Sequence, residues 1–584
     1  MAITQHWQQR ERARDLLSKE VGYVRKPHGG KLRVALAFPN TYFVGMSNLG
    51  LQTVYKLFNA EDDIVCERVF LPPKTELAAQ LASGAPLVTI ESQTAVGDFD
   101  VFAFSVSFEW DYTNVLTMLR LAGIPPRAAD RTHRHPLIVI GGAVTFVNPE
   151  PLALFADVIA AGEGEVLIPS MLRAFTSASD REDLLRRLAG ERGYYIPSFY
   201  DVQYNGDGTI AAFVPRDGTG APPVVKKAAL KTTEAVDPPT TTVFTPETEF
   251  GSRFLIEVVR GCANLCRFCW AGYNYLPVRA FPKERILALA EQARAYSSRA
   301  GLVSIALCDH PDIEEILTRM VAMGYSISPA SLRLDDLTPA ILRLLRESGE
   351  KTITIAPETG SDRLRRVINK TVTNDEILRA AEMIFASGME NLKLYFMIGL
   401  PTEQDEDLVA IRDLTLQLRD VMMRHARGRG QIGRIVGSVN PLVPKPGTAY
   451  QWLAMEGDEG IDRKIKHLRS LTAGIDNVYF NIKSERHSFY QALMSLGDRR
   501  VAPAIEAAER NGGNWRAAVK EAGVDADFFV FRDRSNDAVL PWDIIDGGSK
   551  SAFFRAELDK SLRAEWTLPP KRAKENARLL TVLQ

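Results

Sequence analysis

Six short apolar segments alternate with amphipathic helical segments between Arg253 and Val443, and this alternation restricts the fold more than any other feature of the chain. Each apolar segment has the length of a strand that is covered on both faces. Strands joined by helices predict a parallel β/α architecture with right-handed crossovers. Periodicity leaves two forms open, an incomplete barrel and an open doubly wound sheet. The predicted strands are 254–259, 302–307, 326–332, 352–358, 392–399 and 434–443.

A second series of the same kind lies earlier in the chain and predicts another parallel sheet. The loops that follow its strands are rich in Gly, Ser, Asn and Pro. Because ligands of such sheets bind beyond the carboxyl ends of the strands, four such loops at one edge predict a ligand site. The four loops are 39–50, 105–112, 141–149 and 162–165.

Changes in composition and pattern divide the chain into five segments. Residues 1–30 are charged and predict a leader helix, and residues 31–195 hold the first α/β series. Residues 196–250 are rich in Thr and Pro, which predicts an extended linker with β structure. Residues 251–450 hold the second series, and residues 451–584 predict a mainly helical C-terminal domain.

The charge balance and the lack of apolar windows exclude several classes of protein. The chain has 71 Lys and Arg against 72 Asp and Glu, so it lacks the basic field of a general nucleic-acid binder. No apolar window is long enough for a membrane span, and the charged N-terminus has no signal-peptide core. Five Cys in 584 residues form no disulfide framework, so we expect a cytoplasmic protein with reduced thiols.

Three cysteines follow the first strand of the second series directly. Cys262, Cys266 and Cys269 have the spacing C-x3-C-x2-C, and thiolates are soft ligands for zinc, copper(I) or iron–sulfur clusters. The loop has no His to complete a tetrahedral zinc site. Three Cys on a four-iron cluster leave one iron open for a substrate or cofactor. A structural zinc site completed by a distant Cys66, Cys308 or His stays the alternative.

The Cys-x3-Cys-Arg-Phe-Cys motif at the end of the first of six β/α units resembles the radical S-adenosylmethionine (SAM) superfamily. The resemblance implies a partial (β/α)6 barrel over about residues 250–450 rather than an open sheet. In that family the open iron of a [4Fe–4S] cluster binds the amino and carboxylate groups of SAM. Reductive cleavage then gives a 5′-deoxyadenosyl radical that abstracts hydrogen from a substrate. The resemblance also implies an electron donor such as flavodoxin or ferredoxin.

Further positions match segments that bind SAM in this family. The implied contacts are Phe268, Asp309, Glu358, Ser361, Ile398 and Gly399. Phe268 stands where an aromatic ring packs on adenine. Asp309 stands where many members have a Gly-Gly-Glu motif, which this sequence lacks. Glu358 has the alternative role of an acid at a helix N-terminus.

The first series resembles the cobalamin-binding Rossmann domain that precedes many radical SAM barrels. Segments 39–52, 105–114 and 141–165 carry the match, and the Asp-x-His-x-x-Gly motif that supplies a lower axial His is absent. The resemblance therefore implies cobalamin without a protein His beneath the cobalt. We expect glycines to admit the flat ligand and serines either to bind it or to cap the next helix. The expected contacts are Gly45, Ser105, Ser107, Gly141, Gly142, Gly162 and Gly164.

The sequence thus predicts a radical SAM enzyme, with methyl transfer as its chemistry where the first domain binds cobalamin. The alternatives are a cobalamin-independent rearrangement, cyclisation or oxidation, and a non-catalytic iron–sulfur module. A methylthiotransferase is disfavoured because its N-terminal domain needs three further Cys and this one has only Cys66. Segments 440–452, 497–501 and 540–548 are similar to one subgroup of these proteins, and none of them defines a substrate.

Overall fold

The computed structural model describes residues 2–329, 332–334, 337–427, 430 and 432–568, with side chains from His6 onward. The end of the predicted strand 326–332 and the last part of the predicted C-terminal domain, 569–584, lie outside these ranges. No helix within the described ranges is both long and apolar enough to cross a bilayer.

The first domain is a six-stranded sheet with helices on both faces. Its strands are β1 (Leu32–Phe38), β2 (Ile64–Phe70), β3 (Val101–Ser105), β4 (Leu137–Gly141), β5 (Val158–Ala160) and β6 (Tyr194–Tyr195). Its helices are α1 (Ala2–Ser18), α2 (Tyr42–Gly45), α3 (Leu49–Asn59), α4 (Lys74–Ser83), α5 (Tyr112–Leu121), α6 (Gly164–Ser177) and α7 (Arg181–Gly190). The strand order is β2-β1-β3-β4-β5-β6, parallel except for β6. Alternate residues of β3 enter two different cores, Phe102 and Phe104 on one face and Val101 and Ala103 on the other, which confirms a sheet buried on both faces.

The connection between the domains is extended. It contains an antiparallel hairpin of β7 (Tyr200–Tyr204) and β8 (Ile210–Pro215), followed by β9 (Val225–Lys226). The buried Gln52 on α3 accepts hydrogen bonds from the backbone N–H groups of Thr242 (2.8 Å) and Val243 (3.0 Å). The connection is therefore held against the first domain at residues 242 and 243.

The second domain is an open, barrel-like β/α array. Its strands are β10 (Phe254–Arg260), β11 (Arg279–Ala280), β12 (Arg299–Ser304), β13 (Ser326–Pro329), β14 (Thr352–Glu358), β15 (Asn391–Ile398), β16 (Ile435–Pro441) and β17 (Val478–Ile482). The described residues form two four-stranded sheets, β11-β10-β12-β13 and β14-β15-β16-β17, in which only β11 is antiparallel. The strand β17 was not predicted, because its exposed Tyr479 and Asn481 interrupt the apolar run.

The helices of this domain cover the outer face of its strands. They are α8 (Trp270–Asn274), α9 (Lys283–Ala293), α10 (Ile313–Ala322), α11 (Pro339–Glu347), α12 (Asp362–Val367), α13 (Asn374–Ala386), α14 (Asp405–Ala426) and α15 (Asp458–Thr472). A capping box begins α13, since Thr373 and Glu376 each satisfy the other's backbone N–H. The strand β12 ends three residues before the predicted position because the chain turns into a short 3-10 helix at Leu307–Asp309.

The C-terminal region is mainly helical and contacts both other domains. Its elements are α16 (Glu485–Leu496), α17 (Ala502–Arg510), α18 (Trp515–Ala522), α19 (Ala526–Val530), β18 (Ile545–Asp546) and α20 (Ser551–Leu562). The strand β18 pairs with β9, so the connection between the first two domains is also tied to this region.

Two of the sequence motifs meet at the contact between the first domain and the C-terminal region. The side-chain amide of Asn148 donates to the carbonyl oxygens of Ser495 (2.9 Å) and Gly497 (2.7 Å). The fully buried Glu150 accepts from Arg499 Nε (2.8 Å) and from the hydroxyl of Tyr195 (2.6 Å). The motifs at 148–150 and 497–501 therefore hold the two regions together.

Replacement of Arg499 tests this contact. Arg499→Leu leaves the carboxylate of Glu150 buried without its cation, so we expect the free energy of unfolding to fall by about 3 kcal/mol. The matched control is Arg216→Leu, whose ion pair with Asp201 is more than half exposed and contributes less than about 1 kcal/mol. Denaturant unfolding followed by circular dichroism measures both, and equal effects would contradict a buried contact.

Candidate active site

A cavity of about 540 Å³ lies between the carboxyl edge of the first domain's sheet and the carboxyl ends of β10 and β12. The first domain supplies mostly apolar walls, among them Leu36, Phe58 and Ile168. The barrel supplies Gly261, the residue directly before Cys262, together with Tyr275. Both domains thus share one binding space, and its wall continues into the cysteine loop.

Six of the seven residues expected to contact cobalamin line this cavity. They are Ser105, Ser107, Gly141, Gly142, Gly162 and Gly164. Gly45 does not line it, and that expectation is corrected here. A Cβ atom at Gly45 would lie 2.4 Å from the ring of Phe70 and 3.1 Å from Cβ of Phe38, so glycine is needed there to pack α2 on the sheet.

The cavity glycines serve the protein's own packing more than the sequence suggested. Gly142 and Gly162 have positive φ values, and a Cβ atom there would lie 2.3 Å from the carbonyl oxygen of Val106 and 2.1 Å from that of Ala228. Gly141 is different, because its nearest neighbours would be 3.8 Å away, an ordinary contact distance. Only Gly141 of these three leaves room for a side chain to point away from the protein.

The two serines do not cap a helix. Ser107 Oγ accepts a hydrogen bond from Asn48 Nδ2 at 3.2 Å. Ser105 is buried at the cavity wall, and its hydroxyl makes no hydrogen bond within the part of the chain that the structure describes. The 3-10 turn Glu109–Asp111 and the helix α5 both begin without a side-chain cap. Ser105 therefore adds a polar group to the cavity wall.

The three cysteines lie on one buried loop after β10. Cys262 and Cys266 are buried and Cys269 is half-buried, and all three are free thiols. Burial raises the pKa of Cys262 and Cys266 to about 12 and that of Cys269 to about 11. Leu265 has a left-handed backbone (φ 51°), which bends the loop between the first two cysteines.

Arg267, inside this loop, anchors it to other parts of the chain. The fully buried Arg267 donates to Glu557 on α20 at 3.0 Å and to the carbonyl oxygens of Arg366 (2.8 Å) and Val367 (3.1 Å). The loop therefore depends on the C-terminal region. The sequence motif showed Arg267 as a loop residue but not as this anchor.

The residues present fit an iron–sulfur cluster better than zinc. Among the described residues no three His, Cys, Asp or Glu side chains have the arrangement of a bound metal ion's ligands. Cys66 lies in the core of the first domain, so it does not complete a zinc site on the loop. Asn264 Oδ1 and Trp270 Nε1, which flank the cysteines, are buried without a hydrogen-bond partner in the described part of the chain. Three soft thiolates beside unpaired polar atoms suit a cluster that binds a further ligand.

Two ion pairs surround the cysteines. Arg333 Nη1 lies 2.8 Å from Asp309 Oδ1, and Lys370 Nζ lies 3.4 Å from Glu358 Oε1. Burial raises the pKa of Glu358, and the charge of Lys370 opposes this rise. Burial lowers the pKa of Lys370, but Glu358 and the thiols of Cys266 and Cys269 outweigh it, so the net pKa is raised.

The sequence predicted Asp309 and Glu358 but missed their partners. Lys370 closes the family-like segment 356–370, so its position at the end of that segment was a usable signal. Arg333 lies in a loop without a recognisable motif. Glu358 has a left-handed backbone (φ 65°) at the last residue of β14, and it is not at the N-terminus of α12, where Ser361 is the cap.

Three predicted SAM contacts have structural roles. The hydroxyl of Ser361 accepts from the backbone N–H of Leu364 (3.1 Å) and donates to Asp407 Oδ1 (2.6 Å). Ile398 is fully buried in the core of the barrel because its place on β15 turns its side chain toward the helices. Gly399 has φ 75°, and a Cβ atom there would lie 2.8 Å from Ile461.

Aromatic rings connect the cavity to the cysteine loop. Trp270, which follows Cys269, stacks on Phe146 of the first domain with centroids 5.4 Å apart, and both rings contact Tyr275. Phe146 and Tyr275 line the cavity. Phe268 is half-buried against the same hydrophobic core. The loop, the aromatic rings and the cavity therefore form one continuous site.

Two family matches agree with this architecture. In it a Rossmann-like domain precedes a partial β/α barrel, and three cysteines follow the first strand of the barrel. Residues 50–197 match the sequence model of radical SAM proteins, N-terminal, and residues 256–415 match that of the radical SAM superfamily. Together these ranges cover more than half of the chain. The chain belongs to the radical SAM superfamily and is an enzyme.

One relative and two solved structures are similar to this chain. The chain is 26% identical over 505 residues to the uncharacterized protein MJ0966 of Methanocaldococcus jannaschii, which covers 86% of this chain and 97% of that protein. The radical SAM methyltransferase TsrM from Kitasatospora setae, solved with cobalamin and a [4Fe–4S] cluster bound, is 13% identical with a TM-score of 0.50, over 85% of this chain and 99% of that chain. The cobalamin-dependent SAM radical enzyme OxsB, with aqua-cobalamin bound, is 14% identical with a TM-score of 0.44, over 66% of this chain and 52% of that chain. The likeness to TsrM confirms the predicted fold class.

Asp111 joins two of the loops at the carboxyl edge of the first sheet. Its Oδ1 accepts hydrogen bonds from Asn40 Nδ2 (2.9 Å) and Asn114 Nδ2 (3.3 Å). Burial raises the pKa of Asp111 from 3.8 to about 6. The folded protein therefore holds a proton there that the unfolded chain releases, and stability falls as the pH rises from about 4 through 6.

The substitution Asp111→Asn tests this assignment. An uncharged amide keeps an oxygen for the two asparagine donors and removes the buried charge that forms above pH 6. At each pH the free energy of unfolding of the variant is compared with that of the wild type. We expect this difference to favour the variant by about 2 kcal/mol more at pH 7.5 than at pH 4. Denaturant unfolding at the two pH values measures the difference, and the value at pH 4 is the internal control. A difference that does not change with pH would contradict a buried, protonated Asp111.

Proposed function

We propose that this radical SAM enzyme is a cobalamin-dependent methyltransferase. Its cluster is held by Cys262, Cys266 and Cys269, and cobalamin occupies the cavity between the first domain and the barrel. One observation carries the proposal: the wall of the cavity includes Gly261, the residue directly before the first cysteine. Groups bound at the two places are therefore adjacent in one site.

The charged pairs beside the cysteines suit the amino acid part of SAM. A bound [4Fe–4S] cluster supplies the electron that cleaves SAM to a 5′-deoxyadenosyl radical. Glu358 and Asp309 are placed to accept hydrogen bonds from the amino group, and Lys370 and Arg333 to donate to the carboxylate. Because both pairs are largely shielded from water, their charges are only weakly screened. They hold SAM against the loop and fix its orientation.

The first domain offers a largely apolar enclosure with a few polar groups at its edge. Bound cobalamin supplies a cobalt ion that carries a methyl group. Ser105 offers an unused hydroxyl, and Gly141 admits a flat ligand close to the backbone. Among the described residues that line the cavity none is a histidine, which agrees with the missing axial motif. The apolar walls exclude water from the ligand.

The electron for the cluster comes, in this proposal, from a small one-electron donor such as flavodoxin or ferredoxin in the cytoplasm. The described residues contain no second cysteine group that could hold a cluster of its own. In this proposal an external donor reduces the cluster on Cys262, Cys266 and Cys269.

The alternative is a radical rearrangement, cyclisation or oxidation without cobalamin. The packing roles of Gly142 and Gly162 are compatible with it, because these glycines are needed whether or not a corrin ring is bound. In that case the apolar cavity receives the substrate itself. Cobalamin titration separates the two proposals.

The cluster and SAM assignments are tested together. After anaerobic reconstitution we expect about four iron and four sulfide per chain, and 5′-deoxyadenosine from SAM with dithionite. Replacement of Cys262, Cys266 and Cys269 by Ala abolishes both, whereas the control Cys308→Ala keeps them. Lys370→Met leaves the cluster spectrum intact and weakens SAM binding about tenfold, since a charge-assisted contact is lost. An iron content near eight, or a cluster in the triple variant, would contradict the assignment.

The cavity assignment is tested by filling the cavity from Gly141. A Cβ atom at position 141 would lie at least 3.8 Å from every neighbouring atom. The leucine side chain of Gly141→Leu therefore projects into the cavity without displacing β4. We expect hydroxocobalamin binding to weaken at least about tenfold and the iron content to stay unchanged. The control is Gly190→Leu on α7, where a Cβ atom has no neighbour within 4 Å. Unchanged cobalamin affinity in Gly141→Leu would place the ligand elsewhere.

A further inference from the structure

A network of five buried charged side chains lies where the cavity meets the cysteine loop. Its members are Glu163, Glu165, Glu257, Arg260 and Arg279, and each of these side chains is at most 16% exposed. Of the two acids of the first domain, Glu163 lies directly before α6 and Glu165 lies in its first turn. The other three residues come from β10 and β11 of the barrel. The sequence pattern predicted residues 162–165 only as a ligand loop and contained no signal for this role of the two carboxylates.

Arg260 is the centre of the network. Its guanidinium donates to Glu257 Oε2 at 2.7 Å and to Glu165 Oε1 at 2.8 Å, and it lies 3.0 Å from Glu163 Oε2. Glu163 is also bound by Arg279 Nη2 at 2.7 Å. Breaking such a buried pair leaves an uncompensated charge, so the pairs hold the two domains in one relative position.

Both ends of the network are attached to backbone with little freedom. Arg260 precedes Gly261, where φ is 95° and a Cβ atom would lie 2.5 Å from the carbonyl oxygen of Tyr275. Glu163 follows Gly162, where φ is 148° and a Cβ atom would lie 2.1 Å from the carbonyl oxygen of Ala228. A displacement of the first-domain acids is therefore passed to Arg260 and on to Cys262, two residues later.

The same residues face the cavity. Glu163, Glu165, Glu257 and Arg260 all line it, and Gly261 continues the wall. A ligand in the cavity thus contacts the groups that fix the start of the cysteine loop. Three carboxylates against two guanidinium groups give the network an excess of one negative charge when all are ionised.

We propose that Arg260 is a positioning residue that couples the cavity to the cysteine loop, so that a ligand in the cavity and the cluster on the loop change each other's properties. The inference rests on the proposed cobalamin site. By linkage, a ligand that shifts the cluster's reduction potential is itself bound with a different affinity in the two oxidation states of the cluster. Arg260 acts through the position of the loop and does not touch the reacting atoms.

The test compares the cluster with and without hydroxocobalamin, which is added to the reconstituted full chain. The readouts are the g values and the midpoint potential of the reduced cluster, followed by electron paramagnetic resonance. In the wild type we expect cobalamin to shift both. In Arg260→Gln we expect cobalamin still to bind and to shift the midpoint potential by less than half of the wild-type shift. The control Arg285→Gln removes an arginine at the barrel surface, 3.5 Å from Asp237, and keeps the full shift.

A milder variant guards against a loss of folding. Glu165→Gln removes one partner of Arg260 without touching Arg279, and it should reduce the shift to the same extent. The double variant Glu165→Gln with Arg260→Gln should lose no more than Arg260→Gln alone, because both act through one interaction.

The outcomes separate this inference from the proposed function. Saturable cobalamin binding without any change in the cluster's potential or g values overturns the coupling and leaves the cobalamin site intact. A shift that persists in both single variants also overturns it. Absence of cobalamin binding in the wild type overturns the proposed site and the coupling together.

Discussion

Charged side chains buried between the three regions set the arrangement on which the rest of the structure depends. Arg260 bridges the barrel to the acids of the first domain, Arg267 ties the cysteine loop to α20, and Arg499 ties the C-terminal region to Glu150. A buried charge that loses its partner is strongly destabilising, so alternative packings of the three regions are penalised. Apolar contacts alone would allow the regions to slide. The ion pairs fix one position, and the site lies where the three regions meet.

This arrangement explains several motifs that had no evident chemistry. The segment 440–452 contributes Lys445, which binds Glu109 of the first domain and Ser495, and Gln451, which accepts from Trp542 Nε1 at 2.8 Å. Segment 540–548 supplies Trp542 to the second of these contacts. Segment 497–501 contacts Asn148 and Glu150 of the first domain. The subgroup motifs are therefore interface residues.

The parts of the fold that repeat could be predicted from the sequence. Buried parallel strands leave continuous apolar runs, and helix caps such as Thr373 leave local signals, so both β/α series were predictable. The strand β17 was not, because exposed side chains break its pattern. The site residues also divide into those that a local pattern predicts and those that it does not. Cysteines on one loop are visible from spacing, whereas Arg333 and Lys370 reach the site only through the folding of distant segments. Gly45 and Ile398 matched motifs, but packing against Phe70 and the barrel helices decides their roles.

The central claim is that iron and cobalt are held in one site built by two domains. Anomalous diffraction from anaerobically grown crystals of the reconstituted protein with hydroxocobalamin, collected at the iron and cobalt absorption edges, tests it most directly. The account predicts an iron peak at Cys262, Cys266 and Cys269 and a cobalt peak inside the cavity bounded by Gly141 and Gly261. An iron peak at the cysteines with no cobalt in that cavity would contradict it.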